Sequence, residues 1–190
     1  MVELVVIGAS SGGLEVLITL LQKLPPEYVI PTVAVLHQRA NRASGVPAML
    51  ANYTHLSVVE PDDKQEIESG YFYIAPPNYH LLVERERIFS LSLDAPVQFC
   101  RPSIDVLFES ASEAYGSNLV GCVLTGANSD GALGAKSIKK RGGKILVQNP
   151  EQASVPTMPL AAMQTAKVDA VLNIESMAGV LQGYRYQGAA

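Results

Sequence analysis

The sequence predicts an α/β protein with an open, mostly parallel, doubly wound (Rossmann-like) sheet, helices on both faces and an antiparallel hairpin excursion. Three observations lead to this fold class. Aliphatic and β-branched runs at residues 2–7, 30–36 and 119–124 are typical of parallel strands buried on both faces. Segments with apolar residues at helical spacing alternate with these runs. The middle of the chain instead breaks into short strand-like pieces separated by turn residues.

The first unit of the predicted fold is a strand, a glycine turn and a helix. Residues 2–7 form the strand, which ends at Gly8. The helix is indicated by apolar residues at the spacing i, i+3, i+4 and i+7, namely Leu14, Leu17, Ile18 and Leu21. Pro25 and Pro26 end this pattern because proline interrupts a helix. The second strand is then predicted at residues 30–36.

The middle of the chain predicts the hairpin excursion. A polar loop at residues 38–44 and a short helical segment near 48–53 follow the second strand. Three short strands come next, with turn residues between them, at residues 71–75, 80–83 and 88–93. We expect these three pieces to form the antiparallel hairpin excursion.

The second half of the chain predicts alternating helices and strands. Ser103 is a suitable N-cap for a helix whose apolar stripe is Ile104, Leu107, Phe108 and Ala111. The later elements are a strand at 119–124, a helix at 131–141 closed by Gly142 and Gly143, a strand at 144–147, a helix after Pro159 and a strand at 168–174. Because no linker divides the chain, we expect residues 1–190 to form a single domain.

Composition excludes several classes of function. The chain has 190 residues, 14 of them Lys or Arg and 18 Asp or Glu, with no basic block that would bind a nucleic acid backbone. No apolar stretch approaches the roughly 20 residues of a membrane span, so direct membrane insertion is not expected. Two cysteines and no leader-like start argue against a disulfide framework and predict a cytoplasmic location.

Ser10 stands where a nucleophile would be found in such a sheet. Ligands bind beyond the carboxyl ends of parallel strands, and Gly8-Ala9-Ser10-Ser11-Gly12 follows the first strand with the Gly-x-Ser-x-Gly pattern of a nucleophile elbow. Amides at the start of the next helix, including that of Ser11, could then hold an oxyanion.

The same turn has two other interpretations. It resembles a degenerate phosphate-binding Gly-x-Gly-x-x-Gly turn, which would make the chain a nucleotide-binding module. That site needs an acidic residue after the second strand, where the chain has His37, Gln38 and Arg39, so Arg39 leaves only an NADP-like version open. The other interpretation is a glycine- and serine-rich turn without chemistry.

His37 and Asp130 are predicted to reach the same edge of the sheet as Ser10. His37 ends the second strand and is the natural general base, whereas His55 and His80 are expected to be surface or packing residues. Asp130 follows the strand at 119–124, and either orients His37 or caps the helix after it. A serine, a histidine and an aspartate that each follow a separate parallel strand favour a catalytic triad. The spacing of His and Cys residues predicts no metal site. A reaction carried out by such a triad needs no cofactor.

The chain resembles the catalytic domain of the CheB-type chemotaxis protein-glutamate methylesterases over nearly its whole length. The motifs that carry the resemblance, in chain order, are Ile7-Gly8-Ala9-Ser10-Ser11-Gly12-Gly13, Leu36-His37, Tyr73-Ile74-Ala75-Pro76-Pro77, Arg101-Pro102-Ser103-Ile104-Asp105, Thr125-Gly126-Ala127-Asn128-Ser129-Asp130-Gly131 and Met158-Pro159.

The resemblance implies a serine hydrolase that demethylates glutamate methyl esters of chemoreceptor cytoplasmic domains and can deamidate certain receptor glutamines. It implies Ser10 as nucleophile, His37 as base and Asp130 as orienting residue. It also implies that the main-chain amide of Ala127 helps to hold the oxyanion, at a position where the family usually has methionine. A non-catalytic receptor-binding module remains an alternative.

The chain departs from the family pattern in two further respects. Gln38 and Arg39 follow the histidine where the family often has Met-Pro, and Cys100 stands where a histidine often precedes Arg-Pro. In addition, the N-terminal receiver domain of the full enzyme is expected to be absent from this chain, which begins with the catalytic strand. Either the chain is a trimmed form of the enzyme or it is a stand-alone form, and a regulatory receiver domain would lie outside it.

Overall fold

The computed structural model describes residues 1–37 and 45–185. Within these residues a seven-stranded sheet has the order β3-β4-β2-β1-β7-β8-β9, and every neighbouring pair in it is parallel. A separate antiparallel pair, β5-β6, packs beside it. The strands are β1 (Leu4–Ala9), β2 (Thr32–Leu36), β3 (Ser57–Val59), β4 (Tyr71–Ile74), β5 (His80–Val83), β6 (Phe89–Ser92), β7 (Leu119–Val123), β8 (Lys144–Gln148) and β9 (Ala170–Leu172).

Helices cover both faces of the main sheet. They are α1 (Gly13–Lys23), α2 (Val46–Leu50), α3 (Ile104–Tyr115), α4 (Ala132–Lys140), α5 (Thr157–Thr165) and α6 (Ile174–Gln182). Short 3₁₀ turns lie at Ala51–Tyr53, Gly116–Asn118 and Pro150–Gln152. No helix in the described part of the chain is long and apolar enough to cross a membrane.

The central strand β1 shows why the sheet needs helices on both faces. All six of its residues are buried. Val5 and Ile7 pack in the core beneath α1, α2 and α6, whereas Leu4 and Val6 pack in the opposite core with α3, α4, α5 and the β5-β6 hairpin. Alternate side chains of a strand point to opposite faces, so a continuous aliphatic run fills two cores at once. The predicted doubly wound fold and its hairpin excursion are confirmed, but the excursion consists of β5 and β6 alone. The piece predicted at residues 71–75 is β4, which pairs in parallel with β2 and β3.

The structure differs from the sequence-based prediction mainly near the C-terminus. The strand predicted at residues 168–174 is only Ala170–Leu172, because the Asn173 side chain accepts a hydrogen bond from the amide of Ser176 at 2.7 Å and starts α6. Helix α6 and the short strand β3 were not predicted. Helix α5 begins at Thr157, which places Pro159 inside its first turn, where proline is tolerated. The predicted loop at 38–44 lies outside the described residues.

The strand order creates the crevice that holds the candidate site. From β1 the chain first adds β2 on one side and later β7 on the other, so the order reverses at β1. Open α/β sheets bind ligands at such a reversal, beyond the carboxyl ends of the strands. Ser10 follows β1, His37 follows β2, and the loop that carries Asp130 follows β7.

Candidate active site

Ser10 occupies a tight turn between β1 and α1. Its amide donates a hydrogen bond to the carbonyl of Thr125 at 2.9 Å, which joins the ends of β1 and β7. Gly12 completes the turn at a φ of 77°, a conformation that is strained for residues other than glycine. A side chain there would also clash with Ser154. The Ser10 side chain is half-buried, and its hydroxyl forms no hydrogen bond with any residue that the structure describes.

Two main-chain amides beside Ser10 are available to an anionic group. Helix α1 has Gly12 at its N-cap position and therefore no side-chain cap. Within residues 1–37 and 45–185 neither the amide of Ser11 nor that of Ala127 donates to a protein acceptor. The two loops are in close contact, because a Cβ placed on Gly126 would lie 3.0 Å from the Cβ of Ser10. Uncapped amides at a helix start attract negative charge.

His37 lies directly beside the serine turn. Its amide donates to the carbonyl of Ala9 at 3.0 Å, so the backbones that lead to His37 and Ser10 are adjacent. Its Nε2 is 2.9 Å from Oδ2 of Asp130, and 11% of its side chain is exposed. An ionised carboxylate only accepts hydrogen bonds, so Nε2 carries the hydrogen and Nδ1 presents a lone pair.

Asp130 is the most deeply buried group of the site. Its side chain has no exposed area. Besides the bond from His37, the carboxylate accepts hydrogen bonds at 2.7–2.9 Å from the hydroxyl of Ser103 and the amides of Ile104 and Asp105. Burial opposes ionisation, but these four hydrogen bonds outweigh it and hold the pKa of Asp130 below its ordinary value.

The structure therefore separates the two predicted roles of Asp130: the carboxylate contacts His37, but it does not cap the helix that follows it. Asp130 does not cap α4, the helix that follows it, since Gly131 occupies that position without a side-chain cap. It binds the first amides of α3 instead, next to the predicted N-cap Ser103, whose hydroxyl accepts from the amide of Val106. One carboxylate thus holds the start of α3 and the imidazole of His37 together.

Cys100 is a contact of His37 that sequence reasoning treated only as a departure from the family pattern. Its Sγ lies 3.7 Å from Nδ1 of His37 and accepts a hydrogen bond from the Asn128 side chain at 3.3 Å. Burial and the nearby negative charge of Asp130 raise the pKa of the thiol, although the Asn128 contact opposes this. The neutral thiol carries one hydrogen, which lies within reach of both the carbonyl of Gln98, at 3.5 Å, and Nδ1 of His37.

The fold brings together a set of potential metal ligands that no sequence spacing suggested. One ligand atom each from His37, Cys100 and Asp130 lies within 4.8 Å of the others. Asp130 already accepts four hydrogen bonds, and two of them come from main-chain amides that cannot move away. The closeness of the three side chains is therefore explained by their hydrogen bonds around the imidazole of His37.

The other two histidines lie elsewhere. His55 is exposed. His80 is 2% exposed, accepts a hydrogen bond from the amide of Ser103 at 3.2 Å, and has its Nε2 3.2 Å from the carbonyl of Ala95. His80 therefore supports the loop before α3 from within the core and does not face the crevice.

The low pKa of Asp130 predicts how acid changes stability. The stabilisation from ionised Asp130 is full above the unfolded pKa of about 4 and is lost as the pH falls through the folded value. We therefore expect Asp130→Asn to be less stable than the wild type at pH 7 and the difference to shrink as the pH falls below the unfolded pKa. Denaturant unfolding of both proteins at several pH values measures this. A difference that stays constant with pH would contradict the ionised, hydrogen-bonded state of Asp130.

Comparison with known proteins agrees with the motifs. The family model described as CheB methylesterase matches residues 5–181. A Leptospira interrogans protein, provisionally named protein-glutamate methylesterase/protein-glutamine glutaminase, is 47% identical over 176 residues, which are 93% of this chain and 91% of that protein. The enzyme of that name from Trichodesmium erythraeum is 35% identical over 180 residues, and the chain spans only 51% of its length.

A solved structure gives the same result for the fold. The Thermotoga maritima CheB methylesterase catalytic domain superposes with a TM-score of 0.91 at 29% identity, over 96% of this chain and 98% of that one. The sequence and structure matches support the predicted protein-glutamate methylesterase over the nucleotide-binding alternative. Arg39, on which the NADP-like version depended, lies outside the described residues. With its fold, its motif order and nearly its whole length matched, the chain belongs to the CheB methylesterase family.

Proposed function

We propose that this chain hydrolyses glutamate methyl esters in the cytoplasmic domains of methylated chemoreceptors, with Ser10 as nucleophile, His37 as general base and Asp130 as orienting residue. The observation that carries the proposal is the 2.9 Å hydrogen bond from Nε2 of His37 to the buried, ionised carboxylate of Asp130, at the strand end next to Ser10. This bond leaves Nδ1 of His37 as the proton acceptor on the side of the crevice.

In the first half of the reaction Nδ1 of His37 takes the hydroxyl proton of Ser10. The Ser10 oxygen attacks the ester carbonyl carbon, and the resulting oxyanion accepts hydrogen bonds from the amides of Ser11 and Ala127. The tetrahedral intermediate collapses, the bond to the methoxy oxygen breaks, and His37 returns its proton so that methanol leaves. A glutamyl ester of Ser10 remains.

In the second half water replaces the alcohol. His37 removes a proton from the water molecule, whose oxygen attacks the acyl carbon, and the same two amides support the second oxyanion. The bond to Ser10 then breaks, Ser10 regains a proton from His37, and the free glutamate leaves. Ionised Asp130 stabilises the imidazolium in both halves, and its four hydrogen bonds keep it from moving.

The same site is suited to deamidate receptor glutamines, the second activity in the names of the relatives. An amide passes through the same tetrahedral oxyanion, and His37 gives its proton to the amide nitrogen as the C–N bond breaks, so that ammonia leaves instead of methanol. The two reactions therefore share every residue of the proposed machinery.

Methanol release from a methylated receptor fragment, measured before and after treatment with a fluorophosphonate, tests the proposal. We expect the reagent to label Ser10 and to stop methanol release in proportion to labelling. Steady methanol release from protein fully labelled at Ser10 would contradict the assignment. Saturable binding of NADP by unlabelled protein, without methanol release, would favour the nucleotide-binding alternative.

A further inference from the structure

Phe99 lies at the tip of a two-residue turn beside the candidate active site. Val97 and Cys100 exchange both of their main-chain hydrogen bonds, at 3.1 and 2.8 Å, so Gln98 and Phe99 alone form the turn. The φ angles are 47° at Gln98 and 63° at Phe99. Positive φ at both central residues marks the hairpin turn that is normally formed by Asn-Gly or Gly-Gly.

The isolated domain gains nothing from a phenylalanine in this position. A bulky side chain at positive φ is strained, and glycine would relieve the strain at once. Burial does not compensate for it, because the Phe99 side chain is fully exposed at 103% of its reference area. Of the exposed large apolar residues in the described part of the chain, Phe99 is the most exposed. Strained residues that persist in this way cluster at functional positions.

The turn is fixed firmly enough to hold the ring in place. The Gln98 amide group donates to Asp105 of α3 at 2.8 Å and accepts from the hydroxyl of Ser129 at 2.7 Å. On the C-terminal side of the turn, Arg101 donates to the carbonyl of Leu93 at 2.8 Å. Because the supporting segment is ordered in advance, a partner that covers Phe99 has little conformational entropy to overcome.

The turn also places the ring next to the reacting groups. Cys100, the next residue, has its Sγ 3.7 Å from Nδ1 of His37 and also contacts Asn128. Consecutive Cα atoms are about 3.8 Å apart. Phe99 therefore stands one residue from a side chain that contacts the proposed base, at the rim of the crevice into which a methylated glutamate side chain would enter.

We propose that Phe99 is an anchor for the protein substrate, and that its ring packs against apolar side chains that flank the esterified glutamate of the receptor. This inference rests on the proposed function and adds a determinant of substrate recognition to it. Aromatic residues, phenylalanine among them, are enriched in protein interfaces relative to the rest of the protein surface. The Phe99 ring would contact the polypeptide around the ester of a protein substrate, whereas a small-molecule ester bound at Ser10 would not reach the ring.

Phe99→Gly tests the inference by two changes of opposite sense. We expect the ratio of kcat/KM for the methylated receptor fragment to kcat/KM for p-nitrophenyl acetate to fall about tenfold, as for loss of an aromatic anchor. We expect the Tm to rise by about 1–3 °C, because glycine adopts positive φ without strain. Phe99→Leu keeps an apolar side chain and should keep the ratio within about threefold of wild type.

Val29→Ala is the matched control, since Val29 is 41% exposed and precedes β2 at the opposite edge of the sheet. It should leave the ratio at its wild-type value. An unchanged ratio in Phe99→Gly, with an active wild type, would overturn this inference alone. A dimer that disappears in sedimentation on Phe99→Gly would overturn it in favour of a second copy of the chain as partner. A wild type that cleaves p-nitrophenyl acetate but releases no methanol from the receptor would overturn the proposed function as well.

Discussion

Replacing Ser10 by alanine is expected to lower the rate of methanol release from a methylated receptor by at least about 10³-fold, since removal of a triad nucleophile leaves only binding and oxyanion effects. Stability should change by less than about 0.5 kcal/mol, because the half-buried hydroxyl makes no hydrogen bond within the described residues. The turn itself is held by main-chain contacts, such as the 2.9 Å bond from the Ser10 amide to Thr125, which alanine preserves.

Ser176→Ala provides the matched control for this loss. Ser176 is an exposed serine on α6, which follows the edge strand β9. Within the described residues, its hydroxyl forms no hydrogen bond with any residue of the candidate active site. It should keep wild-type turnover. If Ser10→Ala retained substantial turnover, the nucleophile would lie elsewhere, and Cys100, whose Sγ is 3.7 Å from Nδ1 of His37, would be the first alternative to test.

The second large effect is expected for Asp130→Asn. A neutral amide cannot stabilise the imidazolium of His37, and its NH₂ group opposes the hydrogen on Nε2, so the wrong tautomer is favoured. The corresponding change in a well-studied triad costs about 10⁴-fold, and we expect a loss of at least about tenfold here. The variant should also lose about 1–3 kcal/mol of stability, because one amide oxygen cannot accept all four hydrogen bonds.

Asp105→Asn separates catalytic from structural loss. Asp105 is a neighbouring buried carboxylate that accepts hydrogen bonds from the amides of Gly131 and Gly134 but does not contact His37. Burial raises its pKa despite these bonds, so the neutral amide is tolerated better there. We expect Asp105→Asn to lower kcat less than about threefold. Near-normal turnover of folded Asp130→Asn, measured well below its Tm, would reduce Asp130 to a structural role.

The sequence was sufficient to predict the sheet and the three strand ends of the site. Buried parallel strands such as β1 are continuous aliphatic runs, and the parallel arrangement alone brings Ser10, His37 and Asp130 to one edge. The strand β3 was missed because its three residues, one exposed and two half-buried, have little pattern of their own. Helix α6 could have been found, since Ile174, Met177, Ala178 and Leu181 have helical spacing after the capping residue Asn173.

Contacts between distant segments could not be predicted from local patterns. A cap of the helix that follows was one of the two roles considered for Asp130, whereas its carboxylate binds amides of α3, 25 and 26 residues earlier in the chain. Cys100 meets His37 across 63 residues, and neither residue carries a local signal of the other. The strained turn at Phe99 was invisible as well, because Gln-Phe has none of the composition that usually marks such a hairpin.

The acyl-enzyme is the most direct test of the account. Methylated receptor fragment is mixed with enzyme, the reaction is quenched with acid within the first turnovers, and the digested enzyme is examined by mass spectrometry. If Ser10 is the nucleophile, a glutamyl ester is expected on the peptide that contains Ser10, and it should be absent from Ser10→Ala. A glutamyl adduct on Cys100, or methanol release without any adduct on Ser10 under conditions that trap the intermediate, would contradict it.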